Sequence, residues 1–151
     1  CIMVVMDYST ELEFGVDRFL EILTDYDKLP KYLPRQVQRI EIVDKDDNYT
    51  IIKAVILLRS LIKHEFILEI KIEKKSDEII LAEILDGIAK GTKITISIFT
   101  QEEKTMCKIS TDIKLSLKII VLLPIIKREY KGFVSGVLNN IFTEMKSKEM
   151  K

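Results

Sequence analysis

Hydrophobic and polar residues alternate with a period of two through most of the chain, then switch to a helical period near its end. From His64 to Glu73, Phe66, Leu68, Ile70 and Ile72 fall on one side and Glu65, Glu69, Lys71 and Glu73 on the other. Lys93 to Phe99 sets Ile94, Ile96 and Ile98 against Thr95 and Ser97. From Cys107 to Lys118 the apolar set is Cys107, Ile109, Ile113, Leu115 and Leu117, with Thr111 its one polar member. Lys108, Ser110, Asp112, Lys114, Ser116 and Lys118 oppose it. Alternation of this kind is a strand with one buried and one wet face. Further strands are expected at Ile2–Leu12, through Ile40 and Ile42, at Tyr49–Leu58 and at Glu78–Leu85, with turns at Asp44–Asn48 and Asp86–Gly87. Consecutive one-sided strands joined by short turns predict an antiparallel sheet of six to seven strands.

Two regions keep the 3.6-residue period instead. Val16, Phe19, Leu20 and Leu23 predict a short helix over Val16–Asp25, and Tyr26–Leu33 follows as a second short helical or turn segment. After Pro124, the residues Ile126, Tyr130, Phe133, Val134, Val137, Leu138, Ile141 and Met145 recur at i, i+3 and i+4. They predict one long amphipathic helix from Ile125 to about Lys148. A helix with one apolar stripe and a sheet with one apolar face must cover each other, so the class is α+β.

The run Val16-Asp-Arg-Phe19 through Leu23-Thr-Asp25-Tyr26, then Leu29-Pro30-Lys-Tyr32-Leu33-Pro34 and Val37 to Val43, carries a resemblance. It is similar to the polyketide cyclase and coenzyme Q-binding branch of the START/SRPBCC superfamily, where a first helix ends in an Asp, an aromatic–Pro segment follows and a strand begins. The order of elements resembles that superfamily's helix-grip fold over essentially the whole chain, although this chain has no Trp. The resemblance implies a curved sheet gripping the long helix, with an apolar cavity between them that takes lipids, sterols, isoprenoid quinones or polyketides. A minority of members are cyclases or dehydratases. On this reading Phe66, Leu68, Ile70, Ile96, Ile109, Thr111, Ile113, Tyr130, Phe133 and Val137 line the ligand site. Their aliphatic character suits an open pocket and a filled core alike, and a filled core would make the chain a non-catalytic interaction module.

Composition narrows the function classes. The chain has 151 residues, the size of one domain spanning 1–151, and 47% hydrophobic with 32% charged residues excludes intrinsic disorder. Its 24 basic and 24 acidic side chains cancel, which argues against nucleic acid as a partner, since that affinity rests on Lys and Arg contacts to phosphate. The longest uncharged stretch, Gly132 to Thr143, falls short of the about 20 apolar residues of a membrane span. Cys1 and Cys107 form neither a disulfide framework nor a metal pattern, and Cys1–Met6 is too short for a signal peptide, so a cytoplasmic location is expected. Asp44, Asp46 and Asn48 have the start of a calcium loop, but Tyr49 and Val55 stand where it needs Gly and Glu. No metal or cofactor is expected, and no phosphate-binding or nucleophile motif is present.

Three features remain as candidate chemistry. His64, the one histidine, shares parity with Phe66 and is expected to point inward at a strand end, as a rim residue, a ligand contact or a general base. Thr111 and Tyr130 offer hydroxyls on the inward faces of strand and helix, and with His64 they would compose a cyclase or dehydratase site. The uncharged run Ile119–Ile126 reads as a loop that either lips the cavity or touches a membrane. Residues 104–151 carry 10 basic and 4 acidic groups, which favours an anionic surface there. Gly132 and Gly136 lie opposite the apolar stripe with Asn139 and Thr143, where a second subunit would pack, so both a monomer and a homodimer are admitted.

Overall fold

The alternating segments pair into one sheet, and the helical ones pack on its apolar face. The computed structural model describes residues 2–13, 15–58 and 64–149, except the side chains of Leu58, His64, Lys148 and Glu149. Strand β1 (Ile2–Glu11) leads to helix α1 (Val16–Thr24) and a 3-10 turn at Leu29–Tyr32. Six strands follow: β2 (Val37–Lys45), β3 (Thr50–Leu58), β4 (His64–Lys74), β5 (Ile79–Asp86), β6 (Lys93–Gln101) and β7 (Lys104–Leu115). A 3-10 helix at Leu117–Leu122 then runs straight into the long helix α2 (Leu123–Glu149).

The seven strands lie in the order β1-β7-β6-β5-β4-β3-β2, and every neighbouring pair is antiparallel. Register carries the period-two pattern across the sheet. Tyr8, Ile109, Ile96 and Ile80 stand side by side on the inner face, as do Met6, Thr111 and Ile94. Because every strand contributes its apolar parity to that face, one amphipathic helix suffices to cover it.

The core is densest where α1 and the Leu29–Tyr32 turn meet the C-terminal half of α2. Phe19 of α1 is fully buried, with its ring tilted at 40° against Phe142 at a centroid distance of 6.1 Å. That spacing is within the range where aromatic pairs attract beyond their buried area. Leu20, Ile22, Leu138, Ile141 and Met145 complete the cluster with Ile80, Ile98 and Cys107 from the sheet. Polar contacts hold the same end: the Asn140 side-chain amide donates to the Tyr32 carbonyl at 2.9 Å, and Lys31 pairs with Glu144 at 2.7 Å.

Several expected boundaries move. The run Ile119–Ile126 is not a loop: its first part is 3-10 helix, and α2 begins at Leu123 rather than Ile125. Pro124 sits in the first turn of α2, where its missing N–H has no intrahelical partner to lose. Leu117 shares parity with Leu115 but is 67% exposed, because β7 ends at Leu115 and the chain leaves the ladder. Strands β6 and β7 also run further than expected, to a two-residue hairpin tip at Glu102 and Glu103, both at positive φ (52° and 67°). Tight hairpins want that conformation to match strand twist, though Gly or Asn more often supplies it.

Candidate functional site

The inner face differs along its length. At the α1 end the inward side chains are sealed, Cys107 and Ile141 completely. Towards the middle, Phe66 and Ile70 of β4, Ile94 and Ile96 of β6 and Ile109 of β7 also point at the helix, yet they remain partly accessible. So do Tyr130, Phe133 and Val137 on α2. Leu68 and Ile113 are buried beside them. Side chains that face a covering helix and still keep accessible surface are not packed on every side. Of the ten expected lining residues, eight have purely apolar side chains and two, Thr111 and Tyr130, carry hydroxyls; Thr111 is 5% exposed.

Thr111 and Tyr130 meet. Their hydroxyl oxygens are 2.9 Å apart, and the Tyr130 hydroxyl also donates to the Met6 carbonyl of β1 at 3.3 Å. Thr111 is buried and Tyr130 half-buried, and the Tyr130 hydroxyl ties α2 to the first and last strands. Burial pushes the Tyr130 pKa up; the Thr111 hydrogen bond opposes this, and the negative charge of Asp7 adds to the rise. Tyr130 is therefore a neutral hydrogen-bonding group at physiological pH, not a base. The backbone of His64 opens β4 opposite Leu58, while its side chain lies outside the described residues.

Other reactive groups are accounted for structurally. Burial raises the Cys107 thiol to about 11, which leaves it protonated and inert at neutral pH. Among the described residues, no His, Cys, Asp and Glu side chains gather to hold a metal ion. No helix among them is long and apolar enough to cross a membrane. A cleft of about 210 Å³ lies between α1, the Leu29–Tyr32 turn and α2, walled by Arg18, Glu21, Asp25, Lys28, Lys31 and Glu144. Two ion pairs lie in its wall, Arg18–Glu21 at 3.3 Å and Lys31–Glu144 at 2.7 Å, and it lies outside the sheet–helix interior.

Sequence reasoning missed Thr92. It is 2% exposed, and its hydroxyl oxygen accepts the Lys114 backbone N–H at 3.0 Å, closing the β5–β6 connection against β7. No alternation marks it, because it lies just outside a strand. The two helix glycines also read differently in three dimensions. A Cβ on Gly132 or Gly136 would meet nothing within 4 Å, so close packing within the chain does not require them.

No family model matches the sequence, and no curated protein matches it. Solved structures do. The di-domain ARO/CYC StfQ from the steffimycin biosynthetic pathway is 12% identical with a TM-score of 0.80 over 99% of this chain, which spans 53% of that one. The Zhui aromatase/cyclase from Streptomyces sp. R1128 is 14% identical, with a TM-score of 0.73 over 93% of this chain and 94% of that one. A START superfamily protein from Mycobacterium smegmatis is 9% identical, with a TM-score of 0.72 over 95% and 97%. At such identities the likeness is one of architecture, and that architecture is the helix-grip fold these structures share.

Proposed function

We propose that this protein binds a hydrophobic small molecule between its sheet and α2, and carries it without chemical change. The observation behind this reading is the row of inward side chains, Phe66, Ile70, Ile96, Ile109, Phe133 and Val137, that face the helix yet stay partly accessible. Binding would be driven by desolvation, at about 25 cal/mol per Å² of apolar surface removed from water. A lipid, an isoprenoid quinone or a polyketide-like molecule has the required surface. A cyclase or dehydratase would need a proton acceptor such as His64, whose side chain lies outside the described residues; Tyr130 is held neutral and already donates to Met6.

Delivery to a membrane fits the outer surface at the start of α2. Leu117 and Val121 are 67% and 73% exposed, and exposed Lys114, Lys118, Lys127, Arg128 and Lys131 are their near neighbours in the chain. Apolar groups beside cations suit an anionic lipid surface.

Native mass spectrometry of freshly purified protein, followed by solvent extraction, tests the carrier reading. A near-stoichiometric apolar molecule is expected. A protein that arrives empty and takes up no lipid, quinone or hydrophobic dye has a filled interior, and the reading fails.

A further inference from the structure

The hydroxyls of Thr111 and Tyr130 have only two protons between them, and their two contacts can use both. The Met6 carbonyl has none to give, so the 3.3 Å contact uses the Tyr130 proton. The 2.9 Å contact between the two hydroxyls must then use the Thr111 proton, donated to the Tyr130 oxygen. Both donors are spent. What remains on Thr111 Oγ1 and Tyr130 Oη is lone pairs.

Tyr130 is half-buried, and Ile94, in register beside Thr111 on β6, is partly accessible, as is Ile109 two residues along β7. On the carrier reading the pair borders the ligand, beside the apolar Ile94 and Ile109 and with the Tyr8 ring in register next to Ile109. We propose that Thr111 and Tyr130 select ligands bearing an O–H or N–H over ligands whose polar atoms are acceptors only. This inference rests on the carrier reading. It narrows the ligand to an alcohol, a phenol or a hydroquinone, and it disfavours the corresponding ketone or quinone. A carbonyl placed against these lone pairs loses its hydration and finds no donor on either oxygen, whereas a hydroxyl completes the chain from ligand to Met6.

The test compares 2-naphthol with 2-acetonaphthone by fluorescence or calorimetric titration of the native chain, Tyr130→Phe, and the double variant Thr111→Val/Tyr130→Phe. The double variant sets the baseline ratio of the two affinities, which cancels their difference in size and apolarity. Relative to that baseline, the native chain is expected to favour the naphthol roughly threefold to tenfold, the usual net effect of one hydrogen bond. Tyr130→Phe frees the Thr111 proton, so its ratio is expected to move towards the ketone. A native ratio equal to the baseline, or one unmoved by Tyr130→Phe where the double variant does not fold, overturns the selection while leaving the carrier reading intact. Binding of neither probe to the native chain, with no uptake of a hydrophobic dye, overturns both.

Discussion

Two valines one helical turn apart on α2 distinguish a hollow interior from a filled one. Val134 is 9% exposed in the cluster with Leu138, Ile141 and Phe19, whereas Val137 is half-buried beside the partly accessible inner face. Val→Phe adds the same atoms at either place. At Val134 they have no room, and overpacking costs about 1–3 kcal/mol. For a chain of this length that lowers Tm by about 3–10 °C. On the carrier reading the ring at Val137 enters empty space, and burying about 50 Å² of it contributes about 1 kcal/mol, so Tm should hold or rise. The same ring occupies volume a ligand needs, so Val137→Phe should weaken uptake of a hydrophobic dye at least about tenfold. Thermal unfolding by circular dichroism and a dye titration read both effects on the same samples. Equal destabilisation at the two positions would mean that the interior is packed throughout, and the accessible surface on Phe133 and Ile96 would need another cause.

Gly136→Ala should raise Tm by about 2–4 °C, because Ala gains roughly 1 kcal/mol over Gly inside a helix and its Cβ meets nothing within 4 Å; a fall, or a smaller sedimentation coefficient, would reveal a partner on that face. Gly87→Ala should do the opposite, by about 2 kcal/mol or more, since Gly87 has φ +113° and a Cβ there would stand 2.8 Å from the Ile67 carbonyl oxygen. Leu117→Ser/Val121→Ser should abolish co-sedimentation with phosphatidylserine vesicles at low salt while leaving Tm within about 2 °C; binding that persists in the double variant would remove the apolar corner from the membrane reading.

What the sequence made legible was periodic. Seven strands and the long helix follow from alternation and i, i+3, i+4 spacing, because one apolar face per element leaves a single way to bury them together. The failures sit where periodicity stops. Leu117 keeps the parity of β7 yet points to solvent, since parity has no meaning once the ladder ends. The hairpin tip at Glu102 and Glu103 has no Gly or Asn to announce it. Thr111 and Tyr130 were both visible as polar residues on apolar faces, but 19 positions separate them in the chain, and only the register of β7 under α2 brings their hydroxyls together. Val134 and Val137 are alike as letters. The difference between a sealed and an open neighbourhood belongs to the curvature of the sheet, which no single strand encodes.

That difference also sets how α2 must be held. On the carrier reading α2 forgoes the dispersion contacts a packed core would give its middle, so its attachments fall to its two ends. On the C-terminal side, Phe142, Asn140 and Glu144 meet Phe19, Tyr32 and Lys31; on the N-terminal side, Tyr130 reaches Met6 and Thr111. These attachments are unequal. Phe19→Ala removes a fully buried ring at about 3–5 kcal/mol, a large fraction of the stability of any domain. Tyr130→Phe keeps its ring and loses hydrogen bonds worth about 1 kcal/mol net. Denaturant unfolding should therefore place Phe19→Ala near the edge of folding and Tyr130→Phe close to the native chain. The opposite order would make the hydroxyl pair the structural keystone. Its chemistry would then serve the fold, and a ligand hydroxyl would have no reason to prefer it.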